Sequence, residues 1–284
     1  MVRRTPAGAP RSLTDVTESY VHGYDPEEQQ RLQDQAATLA ELLHHDTAYP
    51  DGSTVLEAGC GVGAQTVILA ATSPRAHITS IDISPVSLAQ ARAAVAVTGA
   101  ANVTFEPADI FALPFAPASF DHVFVCFVLE HLAQPVVALR HLARVLKPGG
   151  TITVIEGDHG STYFHPDSPF ARRAVQCLVD LQARAHGNAL IGRELHPRLL
   201  EAGFDGVAVS PRMVYVDGSR PRLVDGFTKK TFTAMVAGVR EPAIATGLMS
   251  AEDFDRGVAD LVRAAEPDGV FCYTFFKGRG VKRA

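Results

Sequence analysis

From residue 53 onward, short apolar runs alternate with segments whose apolar side chains recur every three or four positions. Runs of the first kind suit buried strands; segments of the second suit helices with one face on a core. STVLEA (53–58), HITSIDI (77–83), NVTFEPA (102–108), FDHVFVCF (120–127) and GTITVIE (150–156) read as five strands. Helices are expected at 63–73, at 84–98 behind Ser84-Pro85, and from Pro135 to Leu146, ahead of the turn Lys147-Pro148-Gly149-Gly150. This βαβα order predicts an α/β fold: a parallel sheet with helices on both faces and a ligand at the carboxyl ends of the strands.

Upstream, Leu32, Ala36, Leu39, Leu42 and Leu43 keep helical spacing over 26–46, and Pro26 with Glu27 and Glu28 suits a first turn. Beyond residue 160 the strict alternation stops. Helices are expected at 167–186 and 193–202, a strand at 207–216, a helical insert at 221–265 and a last strand at 270–276. The two late strands suit an antiparallel hairpin closing the sheet edge. The chain therefore divides into a disordered tail rich in Pro, Gly and Arg (1–13), an N-terminal helical lid (14–52), a ligand-binding core (53–160), and a helical cap with the final hairpin (161–284). No internal repeat is visible.

Composition narrows the partners. The chain has 284 residues, 46% hydrophobic and 20% charged, enough apolar material for a core in one α/β domain with an added cap. Its net charge of −5 argues against nucleic acid held by bulk electrostatics. No window has the length and apolarity of a membrane span, and no apolar leader marks the N-terminus. Cys60, Cys126, Cys177 and Cys272 form no C-x-x-C pair, so neither a zinc site nor a disulfide framework is expected. The default is a reduced, soluble, cytoplasmic protein with no metal.

The strongest chemical signal is Val55-Leu56-Glu57-Ala58-Gly59-Cys60-Gly61-Val62-Gly63, between a strand and a helix. Glycines there allow a tight turn and close approach of a ligand. Gly59, Gly61 and Ala64 also satisfy the dinucleotide pattern G-x-G-x-x-G/A, so the loop by itself leaves two ligand classes open. Glu57, just before the glycines, repels a pyrophosphate and attracts an ammonium. Asp82 ends the second strand, where a carboxylate can accept from both hydroxyls of a ribose. Asp109 follows the third, where it can accept from an adenine amino group. Three acids at three successive strand ends suit a ligand with an amine, a ribose and an adenine but no phosphate; S-adenosylmethionine has those parts. The plainer alternatives are that Glu57 and Asp82 cap the helices that follow them and that Asp109 is a turn acid.

VLEAGCGVG, SIDISP, ADIFALPF, FDHVFVCFVLEHL and LARVLKPGGTITVIE agree in order and spacing as well as content. Over about 53–157 the chain resembles the class I S-adenosylmethionine-dependent methyltransferases of the small-molecule type. The resemblance implies a Rossmann-like seven-stranded sheet, mostly parallel with the last strand antiparallel. It places Glu57, Gly59 and Gly61 at the methionine end of the cofactor, Asp82 at the ribose with Ile83 beside it, and Asp109 with Ile110 at the adenine. Gln65 is expected at the methionine carboxylate or a nearby water, and Phe127 at the cofactor. Residues 160–284 share only the general placing of a cap and the final strands.

Methyl transfer from a sulfonium is an in-line displacement that needs alignment and, for a protonated nucleophile, a base. Histidine suits that task near neutral pH. His159, after the fifth strand and beside Asp158, is the expected catalytic base, with His165 close behind it. Tyr20 and Tyr24 are expected in a lid, Tyr24 towards the cofactor. Tyr20, His22, His131, Tyr163 and Arg193 are expected towards the acceptor. Arg31, Arg184 and Arg212 are further candidates for an acidic acceptor; Phe164 and Tyr215, with Phe127, are candidates to line an aromatic pocket. The expected activity is O- or N-methylation of a small metabolite, such as an amino-acid-like or aromatic natural-product precursor, with no nucleic-acid or membrane partner. A C-methyltransferase, a peptide methyltransferase, an NAD-dependent oxidoreductase and a non-catalytic cofactor-binding protein stay open as alternatives, as does the oligomeric state, a homodimer included.

Overall fold

In the computed structural model, which describes residue 36 and residues 38–283, the five apolar runs form β1 (Thr54–Ala58), β2 (His77–Asp82), β3 (Val103–Pro107), β4 (Phe120–Cys126) and β5 (Leu146–His165). β6 (Phe204–Asp217) and β7 (Val270–Lys282) complete one sheet of order β3-β2-β1-β4-β5-β7-β6. β1 to β5 pair in parallel, and β7 runs antiparallel to both β5 and β6. The expected reversed hairpin is therefore present.

Helices α1 (38–44), α2 (Ala64–Thr72), α3 (Pro85–Thr98), α4 (Pro135–Val145), α5 (Pro169–Arg184) and α6 (Leu195–Glu201) cover the sheet. α3 starts as the Ser84-Pro85 pair predicts: the Ser84 side chain accepts from the Ser87 N–H at 3.2 Å, and Pro85 takes the first helical position. In β1, Val55 faces one apolar layer and Leu56 and Ala58 face the other. The first layer holds Leu39, Leu43, Leu69 and Leu178; the second holds Leu139, Leu142, Leu195 and Leu199. Burial on both faces explains why the central strands β1 and β4 read as continuous apolar runs, whereas β3, at the sheet edge, buries only Phe105. α1 is further tied to the sheet by Lys277 of β7, whose Nζ donates to Asp46 Oδ1 at 2.6 Å and to the Leu43 carbonyl at 3.2 Å.

Two features depart from the sequence expectation. β5 continues through Asp158 and His159 to His165, past the expected strand end at residue 156, because the far half of β7 pairs with it. Tyr163 lies opposite Cys272 and His165 opposite Val270, after a register shift that begins at Asp158. The insert between β6 and β7 is helical as expected, but Val224–Thr233 winds as a π-helix. It is followed by α7 (Ala234–Gly238), α8 (Arg240–Ala245) and α9 (Ala251–Arg263). The strand order reverses between β1 and β4, so the carboxyl ends of these two strands frame the switch point where an open α/β sheet takes its ligand.

Candidate functional site

The loop leaving β1 folds over the end of β2. The N–H groups of Gly59 and Cys60 donate to the Ile81 carbonyl at 2.8 and 2.9 Å, and that of Gly63 to the Cys60 carbonyl at 2.9 Å. The Gly61 N–H donates to Asp82 Oδ2 at 2.9 Å. The amides of Gly59, Cys60, Gly61 and Gly63 are thus committed to protein acceptors, one of them a carboxylate, which a phosphate at Gly61 would meet. Gly59, Gly61 and Gly63 all have positive φ, at 78°, 52° and 81°. A Cβ on Gly59 would sit 2.5 Å from Val128 Cγ2, whereas a Cβ on Gly61 would meet nothing within 4 Å. The outer side of the loop is open at Gly61 and closed at Gly59.

Glu57 is buried, and its Oε2 accepts from Thr66 Oγ1 at 2.7 Å and Ser80 Oγ at 2.6 Å. Burial pushes its carboxyl up to about 7; the two hydroxyls oppose that shift, and the nearby Asp82 charge adds to it. Asp82 is raised too, again chiefly by burial, against backbone N–H bonds that favour its charge. Its Oδ1 accepts from the Ser84 N–H at 2.9 Å. The Ile83 N–H also favours its charge, so of a carboxylate's roughly four lone-pair sites at least one remains for a further donor. Asp109 caps the turn Ile110–Ala112, its Oδ1 accepting from the Phe111 N–H at 2.8 Å. Ile110 is buried behind it, and Ile83 is half-buried beside Asp82. The end of β1, the end of β2 and the turn after β3 therefore carry one acid each.

Phe127 leaves β4 with φ at 57°, a conformation that costs a non-glycine residue about 1–3 kcal/mol and clusters at functional sites. Glu156 holds this turn in place: its Oε1 accepts from the N–H groups of Val128 at 3.0 Å and Leu129 at 2.7 Å. The Phe127 ring tilts against Phe275 at 5.4 Å between centroids. His131 closes the next turn, half-buried, its Nε2 3.6 Å from Glu130 Oε1.

Gln65, in the first turn of α2, accepts at Oε1 from His44 Nε2 at 2.7 Å. His44 is buried and pushed down to about 4, chiefly by that burial, so it is neutral at physiological pH. With its amide oxygen engaged, Gln65 has its amide nitrogen available for a ligand acceptor.

His159 is buried within β5, its Nδ1 2.7 Å from the Tyr273 hydroxyl and its ring edge-on to Phe232. The neighbour expected to orient it, Asp158, is engaged elsewhere: it takes Arg193 in a two-pronged pair, Nε to Oδ2 at 2.6 Å and Nη2 to Oδ1 at 2.7 Å. Arg193 thus spends its fork on a protein carboxylate, and Arg212 likewise pairs with Asp46 at 2.5 Å. Arg184 and His165 are exposed, Tyr163 is 70% exposed and Tyr215 38% exposed. Tyr20, His22, Tyr24 and Arg31 lie outside the described residues. Sequence reasoning did not single out Thr66, Ser80, His44 or Tyr273; their roles come from contacts across the sheet. Among the described residues no group of His, Cys, Asp and Glu is placed to hold a metal ion, and no helix is long and apolar enough to cross a membrane.

The methyltransferase domain family matches residues 56–154 of this chain. An O-methyltransferase of Penicillium expansum is 34% identical over 203 residues, covering 70% of this chain and 70% of its own. An uncharacterized 37.1 kDa protein in transposon TN4556 of Streptomyces fradiae is 35% identical over 198 residues, 69% of this chain and 56% of its own. An O-methyltransferase of Aspergillus nomiae is 34% identical over 149 residues, 51% of this chain and 65% of its own. The chain thus spans 56% to 70% of the length of these relatives. Among solved structures, the YcgJ protein of Bacillus subtilis superposes with a TM-score of 0.56 at 16% identity, covering 87% of this chain and 99% of that one. A phosphoethanolamine N-methyltransferase 2 of Haemonchus contortus, in complex with S-adenosyl-L-methionine, reaches 0.52 at 18% identity, covering 96% of this chain and 58% of that one. These two likenesses concern the fold.

Proposed function

The chain belongs to the class I S-adenosylmethionine-dependent methyltransferases, and from that premise we propose that it transfers a methyl group from S-adenosylmethionine to O or N of a small metabolite. The observation that carries this reading is an acid at or just after each of three successive strand ends, beside a glycine loop whose Gly61 amide is already held by one of those acids. Such a floor repels a pyrophosphate and suits an amine, a ribose and an adenine. When bound, the cofactor supplies a methyl group already activated on a sulfonium.

The residues at hand fit that cofactor. The open side of Gly61 lets a ligand approach, and Glu57 can face the ammonium of the methionine end. The remaining lone-pair capacity of Asp82 suits the ribose hydroxyls, and the half-buried Asp109 is placed for the adenine amino group. The Gln65 amide nitrogen is the donor for the methionine carboxylate, with His44 holding its orientation. Tyr24 and Tyr20 are proposed to close over this site, with His22 and His131 towards the acceptor. The names of the Penicillium and Aspergillus relatives support oxygen as the methylated atom.

His159 is the group proposed to take a proton from the acceptor. To act at Nε2 its ring must carry a proton on Nδ1 and donate it to the Tyr273 oxygen. Exchange of His159 for alanine is expected to lower the single-turnover rate by about 10²–10⁴-fold, the usual weight of general base catalysis. A wild-type rate in that variant removes His159 from the chemistry.

Cofactor binding should also report on Glu57. Its carboxyl sits near 7 in the free protein, and a neighbouring ammonium favours the charged form. Affinity for S-adenosylhomocysteine is therefore expected to rise with pH by up to about tenfold per unit below that value and to level off above it. Glu57→Gln should flatten the profile. The sign for stability is the reverse: a carboxyl raised from 4.5 to about 7 keeps its proton longer in the folded chain, so its contribution weakens as pH rises across that window. The activity itself is tested by following label from methyl-labelled cofactor into a panel of phenols, alcohols and amines. Transfer to an oxygen or nitrogen supports the reading; binding of the cofactor with no transfer across the panel supports the non-catalytic alternative.

A further inference from the structure

Beside the switch point lies a second group of polar side chains that the reading above leaves without a task. Glu156 is fully buried. Its Oε1 is occupied by the Val128 and Leu129 amides, but its Oε2 has no hydrogen-bond partner. Gln182 of α5 is 1% exposed. Its Nε2 donates to the Glu130 carbonyl at 3.1 Å and to Glu130 Oε2 at 3.2 Å, while its Oε1 has no partner. The π-helix packed against this region through Phe232 carries two more buried hydroxyls without partners, on Thr228 and Thr233. A buried polar atom left unpaired costs about 1–3 kcal/mol, and here several occur on neighbouring elements.

The imbalance has a sign. Burial, then the neighbouring Glu130, raises the Glu156 carboxyl well above the usual carboxylate range, so Glu156 gives up its proton readily only with a cation beside it; the Glu130 carboxyl and the amide oxygen of Gln182 are acceptors. Among the described residues, ion pairing gives Glu130 only His131 and gives Glu156 none. Resting on the methyltransferase reading, we propose that Glu156, Gln182 and Glu130 form the subsite for an amine-bearing end of the methyl acceptor, with Glu156 Oε2 and Gln182 Oε1 accepting its N–H groups. An ammonium brings both the donors and the positive charge that the subsite lacks. A carboxylate there would face the Glu130 carboxyl and the Gln182 amide oxygen, both acceptors. The pairing of Arg193 with Asp158 points the same way, since it removes a cation that an acidic acceptor would need. The location is also apt: β4 lies between β1 and β5, with Glu57 opposite Phe124 and Cys126 opposite Ile155, so Glu156 stands one strand beyond β4 from Glu57 at the same end of the sheet.

The test uses phenethylamine, 2-phenylethanol and phenylacetate, equal in size and differing at one terminus, titrated calorimetrically into the full chain with and without S-adenosylhomocysteine. Phenethylamine is expected to bind saturably and at least about tenfold more tightly than the alcohol, with no binding of the acid. Glu156→Gln keeps the Oε1 bonds to the turn and should weaken phenethylamine about tenfold; Gln182→Leu should do so independently. The proposal is overturned by equal binding of the alcohol or the acid, by unchanged amine binding in both variants, or by no amine binding at millimolar concentration. Amine binding without S-adenosylhomocysteine binding would leave this subsite standing and remove the methyltransferase reading instead.

Discussion

Asp82→Ala is expected to weaken S-adenosylhomocysteine binding by about a hundredfold. The carboxylate accepts from the Gly61 and Ser84 amides, with the Ile83 N–H beside them, and its remaining lone-pair capacity is left for the ribose hydroxyls. Two hydrogen bonds to a charged group are worth about 1.5 kcal/mol each at the lower end, and each 1.4 kcal/mol is tenfold in affinity. The same substitution frees the Gly61 amide and loosens the loop above the ligand, which adds to the loss. Asp82→Asn keeps the shape and one acceptor and should fall between the two. Calorimetric titration of the three proteins checks the order; an alanine variant binding as well as wild type would mean that the ribose lies elsewhere.

Gly63→Ala is expected to destabilise the fold by about 2–5 kcal/mol, through the helices rather than the ligand. The position has φ at 81°, which costs an alanine about 1–2 kcal/mol. Its new Cβ would also lie 2.8 Å from Ala91 Cα and 2.9 Å from Ala91 Cβ. Ala91 is in the interior of α3 and fully buried, so the helix backbone must shift, at about 1–3 kcal/mol for an overpacked contact. Gly61→Ala is the matched control. It has the same conformational handicap but nothing within 4 Å, so it should lose only about 1–2 kcal/mol while still hindering a ligand that approaches the loop. Urea denaturation followed by circular dichroism separates the two variants. Equal midpoints would contradict the crowding argument.

The parallel half of the sheet was legible because the central strands β1 and β4 are buried on both faces, which makes apolar runs, and because each turn carries its own signal, as Ser84-Pro85 does. The acids were legible because Glu57 and Asp82 lie at the ends of β1 and β2 and Asp109 in the turn after β3. What could not be read is what depends on distant pairing. Residues 157–165, with Gly, Asp, His and Ser, lie past the expected strand end and become strand only because β7 lies alongside them. Asp158 finds Arg193, and His159 finds Tyr273, across 35 and 114 residues. No local pattern announces such partners, so the expectation that Asp158 orients His159 gave way to a phenol. The π-helical winding of 224–233 has a helical sequence pattern and no mark of its own.

The acceptor side also shows why residue type alone misleads. Arginines suggested an acidic substrate, yet Arg193 and Arg212 are held by Asp158 and Asp46. Unpartnered oxygens on Glu156 and Gln182 carry more information than paired cations, because the interior tolerates few of them.

The account rests on the acids at the ends of β1 and β2 and after β3 as a floor for a nucleoside with an amine and no phosphate. Calorimetric titration of the full chain with S-adenosylhomocysteine and, in parallel, with NAD tests it most directly. The account predicts saturable one-site binding of the first, weakened about a hundredfold in Asp82→Ala, and no saturable binding of the second. Saturable NAD binding, or no heat from S-adenosylhomocysteine, would contradict it.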